Sequence, residues 1–211
     1  MTVPTVFDSA CRRCPRLASH LDAVRVSHPD YHAAPVPPFG PERARLLIVG
    51  LAPGMHGANA TGRPFTGDHA GILLYRTLHA FGFANRPEAT GRDDGLALED
   101  CRVTNAVKCL PPQNRPTPAE VRACNGFLGA EIDAVDPRII LALGRIAHDA
   151  VLRALDRPLR AHPFAHGAEH DVGSGRTLFD SYHCSRYNTQ TRRLTPAMFE
   201  ELFGEIRARL S

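Results

Sequence analysis

Short apolar runs alternate with amphipathic stretches along the chain. Four runs rich in aliphatic residues indicate buried strands, at residues 45–50, 102–107, 138–143 and 177–182. In the stretches between and after them, apolar residues recur at helical spacing, which predicts helices over residues 71–81, 118–135, 145–155 and 196–210. This order of strands and helices predicts an α/β fold with a largely parallel sheet.

Two of the predicted helices carry start signals. Thr117 and Glu120 have the spacing of a capping box, and Pro118 occupies the first helical position between them. Thr195 stands before the last helix, where its hydroxyl can cap a free N–H group. We therefore expect helices to begin at these two points.

Glycine and polar residues concentrate after three of the strands, in residues 51–68, 108–115 and 183–193. Ligands of parallel α/β sheets bind at the carboxyl ends of the strands, so these segments are expected to converge on one site. The first segment lacks the Gly-Lys-Ser/Thr ending of a phosphate-binding loop and the G-x-G-x-x-G fingerprint. Its aromatic Phe65 and its carboxylate Asp68 suit a planar heterocycle better than a phosphate.

Length and composition narrow the class of protein. With 211 residues, 43% of them hydrophobic, the chain is expected to form one domain over residues 1–211. It has no apolar run long enough to span a membrane and no amino-terminal signal pattern, so we expect a cytoplasmic, prokaryotic protein without a membrane partner. A net charge of +3 leaves a nucleic-acid partner open.

Six cysteines in a chain expected to be reduced argue against a disulfide scaffold. Cys11 and Cys14 form a C-x-x-C pair, and Cys109 and Cys124 form a wider pair. Four thiolates can hold an iron–sulfur cluster or a structural zinc ion, and the residues alone leave both open. Cys101 is expected to pack as a small apolar residue at the start of a strand.

Three histidines, His162, His166 and His170, are evenly spaced by four residues. On a helix this spacing can form a zinc site, but Pro163 and Gly167 break a helix here. We therefore expect a loop or hairpin at these positions rather than a helical zinc site.

Three ordered motifs carry a resemblance to a known family. They are the glycine-rich segment at residues 50–68, the strand end and proline-rich stretch at residues 104–118, and the segment at residues 181–195. Together with the four cysteines they resemble the signature regions of uracil-DNA glycosylases, and more narrowly the family-5 or type-b branch, which carries a [4Fe-4S] cluster. The resemblance covers nearly the whole chain. It implies a three-layer α/β/α fold with a central four-stranded parallel sheet, and excision of damaged bases from DNA in base-excision repair.

The resemblance also implies roles for individual residues. Phe65 matches the aromatic ring that stacks on the extruded base, and Asn105 matches the amide that reads the edge of the base. His183 matches the histidine placed near the O2 atom of the base, where negative charge develops. Asp68 matches the carboxylate that orients water and stabilises the cationic sugar. The ligands of the [4Fe-4S] cluster would be the four cysteines, Cys11, Cys14, Cys109 and Cys124.

Two small residues narrow the chemistry that the resemblance implies. Ala52 stands where most branches carry Asp, Glu or Asn; this apolar residue is typical of the type-b branch and leaves the catalytic role to Asp68. Gly54 leaves room where the most stringent uracil enzymes have a bulky ring. Because discrimination by one methyl group is weak, about ten- to two-hundred-fold, we expect excision of further bases such as hypoxanthine.

A basic segment with one aromatic residue is expected to contact DNA. Arginine side chains can bind phosphates, and a tyrosine can fill the gap left by the extruded nucleotide. The residues concerned are Arg186, Tyr187, Arg192 and Arg193. The expected partner is DNA that contains uracil or another damaged base, bound by a monomer.

Two other classes of protein fit the sequence less well. A zinc-dependent nucleobase deaminase requires H-x-E followed by P-C-x-x-C, and neither pattern is present. A non-catalytic nucleic-acid-binding module would not need Asp68, Asn105 and His183 together. Lys108, the only lysine, is expected to face away from the site, which predicts hydrolysis without a Schiff base and without strand cleavage.

Overall fold

A computed structural model describes residues 6–211, so the first five residues of the predicted domain lie outside the described residues. Its strands are β1 (Leu46–Gly50), β2 (Cys101–Asn105), β3 (Ile139–Leu143), β4 (Glu169–Asp171) and β5 (Thr177–Ser181). They form one sheet in the order β2-β1-β3-β5-β4, in which β4 runs antiparallel to β5 and the other neighbours are parallel. The expected α/β class is confirmed, but the expected count of four strands is wrong, because the described residues form five.

The additional strand, β4, lies at the edge of the sheet. Its three residues, Glu169, His170 and Asp171, are all polar and two of them are exposed, so no alternation of apolar and polar positions marks this strand. β4 and β5 form an antiparallel hairpin. The loop or hairpin expected around His162, His166 and His170 is therefore confirmed.

Helices cover both faces of the sheet and give the expected three-layer α/β/α arrangement. They are α1 (Pro15–Ser27), α2 (Ala58–Thr61), α3 (His69–Ala80), α4 (Pro118–Val135), α5 (Arg145–Ala154), α6 (Arg186–Gln190) and α7 (Pro196–Leu210). α3 and α7 pack on one face, for example through Leu74 and Phe203. α1, α4 and α5 pack on the other face, for example through Leu17, Leu128 and Val151. Within residues 6–211 no helix has the length and hydropathy needed to cross a bilayer.

Helix α1 was not predicted, although its signal is present in the sequence. Leu17, Leu21 and Val24 are buried and follow one another at intervals of four and three residues, as on one helix face. Pro15 also stands at the first position of the helix, where its missing N–H is tolerated. Leu17 lies in the apolar cluster against which Cys11 and Cys14 pack, so the helix joins the cysteine pair to the domain.

Both helix start signals are confirmed. Thr117 Oγ1 accepts a hydrogen bond from Glu120 N at 3.3 Å, and the Glu120 carboxylate accepts one from Thr117 N at 2.7 Å. At α7 the hydroxyl oxygen of Thr195 accepts a hydrogen bond from Met198 N at 3.2 Å. These signals can be read from the sequence because every partner lies within three residues.

The strand order places the carboxyl ends of four parallel strands at one edge of the sheet. The chain passes from β1 to β2 on one side and then to β3 on the other, so the direction of winding reverses at β1. A reversal of this kind opens a crevice beyond the strand ends. Gly50 pairs with Asn105, and Leu143 pairs with Ser181, so the loops after these residues begin at a common level.

Candidate active site and four-cysteine cavity

A pocket of about 500 Å³ lies beyond the carboxyl ends of β1, β2, β3 and β5. Side chains from residues 51–68, 108–115 and 183–193 line it together, so the predicted convergence of these segments is confirmed. The turn at residues 143–146, which joins β3 to α5, adds a further wall. We call four of the lining residues the pocket floor: Phe65, Asp68, Asn105 and His183.

Phe65 and Asn105 meet above Gly50, the last residue of β1. A Cβ atom at Gly50 would lie 2.5 Å from the Phe65 ring and 2.5 Å from Asn105 Oδ1, closer than real Cβ atoms approach other atoms. Phe65 has a φ of +53°, a left-handed conformation that is uncommon for an aromatic residue. Its ring stacks on that of His183, with centroids 5.9 Å apart. Glycine at position 50 therefore lets an aromatic face and an amide enter the pocket side by side.

The side-chain amide of Asn105 is available to a ligand. The residue ends β2 and is only 4% exposed, and its exposed part lines the pocket. None of the groups in residues 6–211 hydrogen-bonds to this amide. Because an amide offers both a donor and an acceptor, it can pair with a base edge that presents one of each.

Asp68 caps helix α3 and lines the pocket with the same carboxylate. Oδ1 accepts a hydrogen bond from Gly71 N at 2.9 Å. A Cβ atom at Gly57 would lie 2.6 Å from Oδ2. Any larger residue at position 57 would therefore collide with the carboxylate. Burial raises the pKa of Asp68 above its ordinary value, while hydrogen bonds from backbone N–H groups at the start of α3 oppose the shift. The site thus holds a carboxylate whose charged form is poorly solvated.

His183 follows the end of β5 and faces the same pocket. Its enclosed position lowers the pKa of His183 to about 4, because burial disfavours the charged ring. The imidazole is therefore neutral at neutral pH and carries one N–H group. Asn188 Nδ2 donates a hydrogen bond to the backbone carbonyl of His183 at 2.8 Å, which helps to hold the segment. A neutral ring in this position can donate one hydrogen bond without adding a positive charge.

The pocket wall beside these groups is small and apolar, as predicted for Ala52 and Gly54, which both line it. A Cβ atom at Gly54 would stand 3.6 Å from Asp68 Oδ2, an ordinary contact that would fill part of the space. Several further lining residues were not singled out from the sequence because no sequence signal marks them. The polar ones and the exposed Ile146 are His69, Asn114, Arg145, Ile146 and Ser185.

The four residues predicted to contact DNA lie toward solvent at the pocket mouth and beside it. We call them the pocket rim: Arg186, Tyr187, Arg192 and Arg193. All four are exposed, Tyr187 by 71%, and only Arg186 lines the pocket itself. The guanidinium of Arg193 lies over the Tyr182 ring, 4.5 Å from its centroid, in an adjoining groove.

The rim segment contains helix α6, which the sequence did not predict. Ser185 caps it by accepting a hydrogen bond from Asn188 N at 3.5 Å. The helix has five residues and none of them is buried, so hydrophobic periodicity could not mark it. Arg145, at the start of α5, adds an exposed cation to the same mouth, and its guanidinium lies 5.3 Å from the Phe164 ring centroid.

The chain matches the family model described as uracil DNA glycosylase superfamily over residues 37–207. The chain belongs to this superfamily. It is 47% identical over 205 residues to a type-5 uracil-DNA glycosylase of Thermus thermophilus, which covers 94% of this chain and 93% of the relative. A type-5 uracil-DNA glycosylase of Pyrobaculum aerophilum is 43% identical over 202 residues, covering 94% of this chain and 88% of the relative. One of Mycobacterium bovis is 43% identical over 208 residues, covering 94% and 78%. The resemblance to family-5 uracil-DNA glycosylases is confirmed.

The four cysteines of this superfamily member line one small cavity on the α4 face of the sheet. Cys14 precedes the first residue of α1, and Cys109 follows β2. Cys124 lies on α4, where its sulfur accepts a hydrogen bond from Lys108 N at 3.4 Å. Burial first, and then the negative charges of the neighbouring thiolates of Cys124, Cys11 and Cys14, raise the pKa of Cys109 to about 12. A cationic group would therefore be needed to hold all four as thiolates. Both remaining cysteines, Cys101 and Cys184, are buried in the apolar core, as expected for Cys101.

Lys108 points away from the pocket. Its side chain is buried on the α4 face, where Nζ donates hydrogen bonds to Glu131 at 2.8 Å and to the hydroxyl of Thr104. The Glu131 carboxylate also binds Arg102 at 3.0 Å, which makes a buried network of one anion and two cations. The amine is thus held in an ion pair on the opposite side of β2 from the side chain of Asn105.

Proposed function

We propose that this chain is a monofunctional glycosylase that hydrolyses the N-glycosidic bond of uracil in DNA and so initiates base-excision repair, acting as a single-domain monomer. The proposal is carried by one observation: an aromatic ring, a free amide, a half-buried carboxylate and a neutral histidine form the floor of one pocket. The names of the relatives support the same substrate.

The reaction follows from the chemistry of the floor residues. An extruded base would stack on Phe65 and place its edge against the amide of Asn105. As the bond between C1′ and the base nitrogen breaks, the electron pair moves onto the base, and the N–H of His183 stabilises the negative charge near O2. Asp68 stabilises the positive charge on the sugar, orients water toward C1′ and accepts its proton. The products are the free base and an intact strand with an abasic site.

Several bases are expected to fit the pocket. Ala52 and Gly54 present little bulk, so the wall offers little steric exclusion of purines. Duplexes with uracil, hypoxanthine, xanthine or ethenocytosine should be assayed for base release under single-turnover conditions. We expect release of uracil and hypoxanthine; release of uracil alone would contradict broad specificity, and release of no base would favour a binding module.

The reaction should stop at the abasic site. The only lysine is held in the buried pair of Lys108 and Glu131, so no lysine amine is placed to attack the sugar. Borohydride added during turnover should trap no protein–DNA adduct. An adduct lost in Lys108→Arg, which keeps a cation beside Glu131, would overturn the hydrolytic mechanism.

We also propose that Cys11, Cys14, Cys109 and Cys124 hold a [4Fe-4S] cluster with a structural role. The four side chains line one small cavity, and four thiolates are the ligand set of such a cluster. A cluster held there would tie residues 11–14 to β2 and α4.

Iron and sulfide analysis tests the cluster proposal. Protein purified without oxygen should be brown and contain about four iron atoms per chain. Cys14→Ser should lose the iron, whereas Cys101→Ala should keep it, because Cys101 lies in the opposite core. A colourless protein in which Cys14→Ser removes a single zinc ion would overturn the proposal.

A further inference from the structure

A second group of polar side chains lies on the α5 face of the sheet, outside the pocket. His148 on α5, His170 on β4 and Asp180 on β5 each offer a ligand atom, and these atoms lie within 4.8 Å of one another. His148 Nδ1 is 2.7 Å from Asp180 Oδ1, and His170 Nε2 is 3.2 Å from Asp180 Oδ2. Asp180 is fully buried, His148 is 1% exposed, and the side chain of His170 is 10% exposed. Among the residues that the structure describes, no other group of three His, Cys, Asp or Glu side chains is identified as able to hold a metal ion.

The contacts of His148 aim one ring nitrogen at the carboxylate. Nε2 lies 2.9 Å from the carbonyl oxygen of His162, which can only accept, so Nε2 donates there. Nδ1 then faces Asp180 Oδ1 at 2.7 Å, while His170 Nε2 faces the other oxygen of the same carboxylate at 3.2 Å. A proton on Nδ1 would satisfy the first of these contacts alone, whereas one metal ion would bind both nitrogens and the carboxylate together.

We propose that His148, His170 and Asp180 bind one divalent transition-metal ion, and that zinc suits this ligand set best. Two imidazole nitrogens and one carboxylate are among the ligands that zinc takes. The carbonyl oxygen of His162 supplies the hydrogen-bond partner that a ligating histidine has on its second nitrogen. Each ligand comes from a different element, so the ion cross-links α5, the edge strand β4 and β5.

This ion would hold a wall of the pocket without touching the base. Asp180 stands three residues before His183, and His148 stands three residues after Arg145, and the pocket is lined by both His183 and Arg145. The three ligands are therefore positioning residues. The polar edge strand β4, which has few apolar contacts of its own, would also be fastened to the sheet.

Metal binding by the full chain with its cysteine site intact tests the proposal. Zinc is titrated against a chromophoric competing chelator, for the wild type, His170→Ala and the control His166→Ala, which removes a histidine of the same segment outside the ligand set. We expect about one zinc per chain in the wild type and the control, and an affinity at least about ten-fold lower in His170→Ala. Equal affinity in His170→Ala, or no binding by the wild type, overturns the proposal.

Cobalt separates this site from the cysteines. Co²⁺ bound by nitrogen and oxygen should give visible ligand-field bands without the near-ultraviolet charge-transfer band of a cobalt–thiolate bond. The signal should persist in Cys14→Ser and disappear in His170→Ala. A thiolate band that is lost in Cys14→Ser would show that the cysteines bind the ion and that the histidine cluster does not.

Discussion

The floor and the rim of the pocket are built in different ways. Floor groups are enclosed, and glycine contacts and backbone hydrogen bonds leave them few alternative positions. Rim side chains stand in solvent on a segment whose helix, α6, buries no residue. Burial changes the pKa of two floor groups, Asp68 and His183, whereas the rim keeps four exposed side chains, three of them cationic. We therefore expect floor substitutions to change the rate of the chemical step, and rim substitutions to change DNA affinity and its salt dependence.

The largest effect is expected from Asp68→Asn. The amide oxygen of asparagine can still accept the hydrogen bond from Gly71 N, so the α3 cap is kept while the charge is lost. Removing a group that acts mainly in the transition state costs on the order of a hundred- to a thousand-fold in rate. Single-turnover base release and DNA affinity should be measured together, and only the rate should fall.

The stability of Asp68→Asn provides a control on this interpretation. Because the folded pKa of Asp68 is raised, ionising the carboxylate costs stability at pH values above that pKa. The variant should thus be at least as stable as the wild type at neutral pH. A variant that melts earlier would attribute the lost rate to damaged folding, and a variant with the wild-type rate would remove Asp68 from the mechanism.

Gly50→Ala should have the next largest effect. The added Cβ would collide with both the Phe65 ring and Asn105 Oδ1, so both groups must shift. A misplacement of about 1 Å in an active site can cost up to about a hundred-fold in rate, and we expect a loss of about ten-fold or more. The measurement is the single-turnover rate on uracil duplexes.

The matched control for this variant is Gly126→Ala on α4. A Cβ atom there has no neighbour within 4 Å, and alanine favours a helix over glycine by about 0.5–1 kcal/mol. This control should keep the wild-type rate and gain stability. An unaffected rate in Gly50→Ala would mean that the floor tolerates displacement, which contradicts the distinction between floor and rim.

Elements with local signals could be predicted from the sequence, and the floor shows where such signals end. The capping box of Thr117 and Glu120 needs only neighbours in sequence, and it is present as expected. The contact of Phe65 with Asn105 above Gly50 joins residues from different strands, so their approach depends on the sheet order and register. The resemblance identified these residues as candidates, but no spacing in the sequence gives the distance between them.

The histidine cluster also depends on contacts that spacing does not give. The even spacing of His162, His166 and His170 does not make them one site, since Pro163 and Gly167 break a helix there and only His170 lies on the hairpin strand β4. His170 meets His148 and Asp180, which lie 22 and 10 residues away along the chain. A buried aspartate within an apolar strand was the available signal, because such a charge needs a partner.

The pH dependence of the rate should distinguish the two titrating floor groups. The proposed mechanism requires that Asp68 is ionised and that His183 is neutral. Because the pKa of Asp68 is raised, the acid limb should lie above the pH expected from an ordinary aspartate, with a loss approaching ten-fold per pH unit below that pKa. His183, with its pKa at about 4, should give no inflection near the ordinary histidine value. Single-turnover rates from about pH 4 to about pH 9 check this.

The variant His183→Gln provides the control. An inflection of the wild-type rate near pH 6.5 that is absent from His183→Gln would contradict the assignment of a neutral histidine.

The smallest effects are expected at the rim. Arg192→Ala removes one exposed cation from the proposed phosphate-binding surface, and each phosphate contact contributes about 0.9 to the slope of log affinity against log salt. The loss of this one contact should thus lower DNA affinity by about three-fold at moderate salt, with the rate of bound substrate unchanged. Arg122→Ala is the matched control, because Arg122 is an equally exposed arginine on α4, on the other face of the sheet. Binding isotherms at several salt concentrations should show a shallower slope for Arg192→Ala alone.

Two outcomes would contradict this role of the rim. Equal slopes for both variants would mean that the rim does not contact the DNA backbone. A reduced single-turnover rate at saturating enzyme would mean that the rim, like the floor, contributes to the chemical step.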